Sequence, residues 1–179
     1  MCIRDRYKHY PKKRYQITID FLKQHINNED KILDLGVENP LSIKLKKLGY
    51  EVHNTSGEDL DLDYSAVLNK KYDVVSAFQI LEHLLSPYVL LKSIQANKLI
   101  ASIPLKLWFT NAYRNKKDLK DCHFHEFESW QFDWLLEKSG WRIISRKKWT
   151  NPKPFKLGFR PILRLFTPRY YIVYAERIN

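Results

Sequence analysis

Short apolar runs that end in turn residues alternate along this chain with segments of helical periodicity. No other feature restricts the fold as much. Lys31-Ile32-Leu33-Asp34-Leu35 runs into Gly36 and reads as a buried strand. Pro40 suits the first turn of a helix carrying Leu41, Ile43, Leu45 and Leu48, with Gly49 as its C-terminal cap. Tyr50 to Asn54 reads as a second strand and Tyr72 to Phe78, led by Asp73-Val74-Val75, as a third clear one. Leu99 to Ile103 is another, stopped by Pro104. Upstream, Tyr15 to Ile26 places Ile17, Ile19, Phe21, Leu22 and Ile26 as an amphipathic helix does. Further helices are predicted around Pro87 to Ala96 and from Ser129, as cap, through Trp134 to Gly140. After residue 140 come two strands, Trp141 to Ser145 and Tyr170 to Ile178, with no clear helix between them.

Strands alternating with helices imply a parallel sheet covered on both faces, and the closing strand pair implies an antiparallel edge. The prediction is a single α/β domain with a doubly wound, Rossmann-like, mostly parallel sheet and an antiparallel final strand. The 179 residues are ordinary for one domain that needs no disulfide staples. Cys2 and Cys122 form neither a disulfide framework nor a metal-ligand spacing, which fits a reducing, cytoplasmic setting. No apolar run approaches the roughly 18–20 residues that span a bilayer. Residues 1–6 lack the apolar core of a signal peptide and read as a non-native or disordered start, with the domain over 7–179.

In open α/β sheets the ligand lies beyond the carboxyl ends of the strands. After the first strand comes Asp34-Leu35-Gly36-Val37-Glu38-Asn39-Pro40. Gly36 allows a sharp turn and close backbone approach. A dinucleotide pyrophosphate wants several glycine amides and positive charge. One glycine beside a glutamate argues against it, and no Walker-type phosphate loop occurs.

Three stretches together resemble the class I S-adenosylmethionine-dependent methyltransferases over roughly residues 15–145. They are Ile32-Leu33-Asp34-Leu35-Gly36, then Tyr72 to Phe78 continuing as Gln79-Ile80-Leu81-Glu82-His83-Leu84, then His123-Phe124-His125-Glu126-Phe127 before Trp134-Leu135-Leu136-Glu137-Lys138-Ser139-Gly140-Trp141. The resemblance implies methyl transfer from S-adenosylmethionine. It implies cofactor contacts from Asp34, Gly36, Glu38, Phe78, Gln79 and Glu82, with the acids offered to the cationic end. Glu38 and Pro40 replace later glycines of the family loop, and Pro40 has no N–H to give. Where the family closes its second strand with an acid for the ribose, this chain has Asn54-Thr55-Ser56-Gly57-Glu58, so Asn54 or Glu58 takes that role or none does. The helix that usually follows is missing, and Asp61, near a brief extra strand, is the candidate for the adenine.

Methyl transfer to a hydroxyl or acid gains from a general base. The resemblance puts His123 first for this, with His83 and His125 as alternatives. The His123-x-His125 pair has no third ligand at short spacing, so no metal is expected. The net charge is +11, and Arg142 to Arg169 holds nine Lys or Arg and no acid. Three readings stay open for the basic insertion 147–169: a lid over a phosphate- or carboxylate-bearing acceptor, contact with an anionic membrane surface, or RNA binding. No RNA-binding module signature supports the last. The acceptor is taken as small or anionic. The alternative is a non-catalytic fold of the same kind that binds an anionic partner through 142–169.

Overall fold

The computed structural model describes residues 12–112, 122–150 and 158–178. The start at 1–6 and residues 151–157 of the basic insertion lie outside them. In chain order the elements are α1 (Lys12–Lys23), β1 (Lys31–Asp34), α2 (Pro40–Lys47), β2 (Glu51–Asn54), β3 (Val74–Phe78), α3 (Pro87–Ser93), β4 (Lys98–Pro104), α4 (Ser129–Lys138), β5 (Trp141–Trp149), α5 (Phe159–Phe166) and β6 (Tyr170–Arg177). Two 3₁₀ turns, Ser65–Leu68 and Leu81–His83, flank β3. The strands form one sheet in the order β2-β1-β3-β4-β6-β5. The first four are parallel, and β6 runs antiparallel to both β4 and β5.

Successive side chains in a strand point to opposite faces, and this chain fills both. One cluster takes Leu33, Val75, Leu99, Ala101, Tyr171 and Val173 from the strands and packs them under Leu90 and Leu91 of α3 and Phe132 and Leu136 of α4. The other takes the alternate residues Ile32, Val52, Val74, Ile100, Ile172 and Tyr174 and packs them under Ile19 and Leu22 of α1 and Leu41 and Leu45 of α2. The predicted two-sided sheet is therefore present. Its strands read as continuous apolar runs because neither face meets water.

Four local expectations need correction. A helix, α5, does stand between the last two strands, with Pro161 in its first turn. Strand β5 does not stop at Ser145 but passes a bulge at Ile144 and continues to Trp149. Its Arg146-Lys147-Lys148 stretch lacks apolar alternation, so the pairing with β6 holds it in the sheet. Edge strands commonly carry such charges. The brief strand expected near Asp61 is a turn, closed by Leu62 N and Asp63 N donating to the Asp59 carbonyl. Finally, α4 is capped by Glu128 rather than Ser129. The Glu128 N–H donates to Gln131 Oε1 at 2.9 Å, while the Ser129 hydroxyl receives Lys148 Nζ at 2.7 Å.

Candidate active site

Strand order reverses between β1 and β3, and in open α/β sheets that reversal places the ligand crevice beyond the strand ends, here Asp34, Asn54 and Phe78. Asp34 sits at its base, 1% exposed. Its Oδ1 accepts from the Ser76 hydroxyl at 2.6 Å. Its Oδ2 accepts from Asn39 Nδ2 at 3.2 Å and Asn54 Nδ2 at 3.1 Å. Burial pushes the Asp34 pKa up to about 6, against the pull of those three hydrogen bonds and of Lys46. Asp34 therefore fastens three segments together from below.

The loop after β1 is held by the same network. Gly36 adopts φ +97°, where a side chain is disfavoured. Its N–H donates to Thr55 Oγ1 at 2.7 Å and its carbonyl accepts from Asn54 Nδ2 at 3.2 Å. Asn39 caps α2 by accepting from Leu41 N and Ser42 N, and Ser42 Oγ accepts from Asn39 N in return. Pro40 occupies the first helical turn, as predicted. Sequence reasoning missed Asn39, Thr55 and Ser76. The Asn39-Pro40-Leu41-Ser42 spacing did carry a capping signal. Ser76 carried only the oddity of a hydroxyl inside an apolar strand.

The remaining candidates divide. The Asn54 Oδ1 and Glu58 Oε2 atoms are buried without a hydrogen-bond partner among the described residues. Glu38 lies at the surface in an ion pair with Lys46. Asp61 accepts from Leu85 N and Ser86 N, both at 2.8 Å, and so ties its own turn to the loop before α3. Phe78 is half-buried against the α1–α2 side of the core. Gln79 takes φ +60°, a costly conformation for a residue with a side chain. It is pinned by its N–H to the Ser102 carbonyl at 2.8 Å and by Nε2 to Ser102 Oγ at 3.3 Å.

Beyond β3 the fold gathers Glu82, His83 and His123. One ligand-type atom from each lies within 4.8 Å of the others. Glu82 is 1% exposed, and its Oε2 has no hydrogen-bond partner among the described residues. Burial pushes its pKa up to about 8. Phe124 N at 2.9 Å and His125 N at 3.2 Å donate to the Glu82 carbonyl, which docks the 122–126 segment on the turn. Burial, then the nearby His83, pushes the His123 pKa down, and Glu126 at 3.4 Å only partly offsets this. The site therefore favours the neutral imidazole at His123. His125 is outside the cluster, its Nε2 at 3.2 Å from the Leu85 carbonyl. The expectation of no metal rested on short spacing in sequence. The cluster instead joins His123 to Glu82 and His83, two groups from a turn some forty residues upstream.

The basic insertion is described in part. In α5, Phe159, Ile162, Leu165 and Phe166 are all at least half exposed. No helix among the described residues is long and apolar enough to cross a membrane.

No family model matches this chain, and no curated protein matches its sequence. Solved structures do match its fold. A 1,6-didemethyltoxoflavin-N1-methyltransferase from Burkholderia thailandensis, solved with bound 1,6-didemethyltoxoflavin and S-adenosylhomocysteine, superposes with a TM-score of 0.60 at 15% identity, over 92% of this chain and 78% of that one. A SAM-dependent methyltransferase from Archaeoglobus fulgidus gives 0.54 at 16% identity, over 91% and 94%. The [4+2]-cyclase SpnF gives 0.56 at 10% identity, over 92% and 81%. The last match shows that the fold does not by itself fix the reaction. With a six-stranded, mostly parallel sheet in this strand order and these structural neighbours, the chain has the class I S-adenosylmethionine-dependent methyltransferase fold.

Proposed function

We propose that the chain binds S-adenosylmethionine at this crevice and transfers its methyl group to a small acceptor with an ionisable or anionic group. The observation that carries this reading is a set of three buried oxygen acceptors. Asn54 Oδ1 at the end of β2, Glu58 Oε2 after it and Glu82 Oε2 after β3 lack partners among the described residues. Buried acceptors call for hydrogen-bond donors or cations. A sulfonium nucleoside brings both: ribose hydroxyls for Asn54 and Glu58, and a cationic amino-acid end for an acidic edge. A pyrophosphate would bring more acceptors and meet repulsion. In this reading Gly36 permits close approach, Phe78 and Gln79 border the nucleoside, and Asp34 positions the loop from beneath. Asp61 acts through the 85–86 loop that it holds.

Methyl transfer from sulfur needs an in-line acceptor, and placement alone can supply about 7–11 kcal/mol. Glu82, His83 and His123 are the groups proposed to weaken the acceptor's bond to its proton. The test is a thermal shift with S-adenosylmethionine and S-adenosylhomocysteine. A ligand at 100 times its Kd stabilises by about 2.7 kcal/mol, which for a chain of this size raises Tm by about 5–10 °C. Glu58→Gln and Asn54→Leu should weaken that shift. No shift at millimolar cofactor would refute the reading.

For the basic insertion we propose contact with an anionic membrane surface. Phe159, Ile162, Leu163 and Phe166 recur at helical spacing on one side of α5, with Arg160 and Arg164 on another. Apolar side chains at the headgroup boundary with basic ones at the phosphates is the pattern of interfacial helices. Cosedimentation with phosphatidylserine-containing vesicles should fall sharply in Phe159→Ser/Phe166→Ser. Equal binding by both proteins would count against insertion of this face.

A further inference from the structure

We propose that Glu82, His83 and His123 form a binding site for one divalent first-row transition metal, of the zinc type. The three side chains come from two segments, the turn after β3 and the stretch before α4, and their ligand-type atoms lie within 4.8 Å of one another. Two imidazole nitrogens and one carboxylate suit zinc, cobalt or nickel better than magnesium or calcium, which prefer all-oxygen sites.

The hydrogen bonding agrees with metal ligation at His83 and Glu82. His83 Nδ1 lies 2.9 Å from the Cys122 carbonyl. A carbonyl only accepts, so Nδ1 carries the hydrogen and Nε2 is the ring nitrogen left to meet a metal. His83 Nε2 lies 3.8 Å from Glu82 Oε1, on the side of the ring that faces the cluster. Metal-bound histidines commonly donate their other ring N–H to a backbone carbonyl in this way. Buried carboxylates are stable when paired or bound to a metal, and Glu82 Oε2 has no partner among the described residues.

Zinc–ligand bonds of about 2.0–2.2 Å need donor atoms roughly 3–3.5 Å apart, so metal entry contracts the cluster by about an ångström. The bonds from Phe124 N and His125 N to the Glu82 carbonyl already hold the two segments in register for that step. Three protein ligands leave a fourth position open. Resting on the methyl-transfer reading, that position suits an acceptor oxygen, whose proton a bound dication makes easier to remove.

The test uses the full chain stripped with a chelator and titrated with cobalt(II) alone, then with zinc as competitor. One equivalent of cobalt should produce visible d–d absorption that zinc abolishes. Glu82→Gln and His123→Ala should each weaken the metal by more than about 100-fold, beyond the 10–100-fold typical of losing an outer partner. His53→Ala, an exposed histidine beside Glu51 on β2, should leave the titration unchanged. Circular dichroism confirms that each variant folds, and His123→Ala decides the matter if Glu82→Gln does not. An unchanged cobalt signal in a folded variant, or no stoichiometric binding by the parent, overturns the proposal. The readout needs no cofactor, so it can fail while the S-adenosylmethionine shift succeeds, and the reverse.

Discussion

Replacing Asp34 by Asn tests whether the crevice floor is a strained, buried carboxyl. Burial raises its pKa from the ordinary 3.8 to about 6. At 1.36 kcal/mol per pH unit this corresponds to about 3 kcal/mol, as an order of magnitude. Because the folded value lies above the unfolded one, the folded chain keeps a proton where the unfolded chain has lost it. The associated stability is full below about pH 4 and is lost as pH rises through 6. About 1 kcal/mol of that loss falls between pH 5 and pH 7. Asn cannot titrate, so the variant lacks this slope. Asn also keeps an acceptor for Ser76 but turns the other position into a donor facing Asn39 Nδ2 and Asn54 Nδ2. Asn39 cannot flip to help, because its Oδ1 caps α2. Asn54 can flip, but it then gives up the Gly36 carbonyl. The mismatch costs about 1–3 kcal/mol. Urea unfolding at pH 5 and pH 7 should therefore show a less stable variant whose gap to the parent narrows by about 1 kcal/mol at the higher pH. Groups elsewhere titrate alike in both proteins and cancel. A gap that is constant or widens with pH would mean that Asp34 titrates as an ordinary surface acid, and the account of the floor fails.

Gly36→Ala should destabilise by about 1–3 kcal/mol and weaken cofactor binding, since φ is +97° and the new methyl meets Ile80 Cδ1 at 3.4 Å; calorimetry checks both. Asp61→Ala should speed hydrogen exchange at the Leu85 and Ser86 amides that its carboxylate now holds; unchanged exchange with weaker cofactor binding would point to direct contact instead. Trp141→Phe removes the fully buried indole N–H that donates to the Leu91 carbonyl at 3.1 Å. It should cost about 1–3 kcal/mol and lower Tm by about 3–10 °C, read by scanning calorimetry.

The sheet was legible in the apolar runs alone. Ile32-Leu33, Val74-Val75 and Leu99-Ile100 each bury both of their side chains, so their apolar runs admit only strands covered on two faces. Gly36, Pro40 and Gly140 marked turns, a helix start and a helix end through backbone constraints that act locally and so are legible locally. What needed the tertiary structure was every feature whose partner lies far along the chain. The pairing with β6 carries Arg146 to Trp149 into the sheet. The Asp34 floor joins residues 39, 54 and 76, and the Glu82–His83–His123 cluster joins two segments that only the packing of 122–126 on the 81–83 turn brings together. A propensity or a spacing reports on neighbours within a helical turn or a strand. A hydrogen bond between residues forty apart has no such period, and only the closed fold creates it.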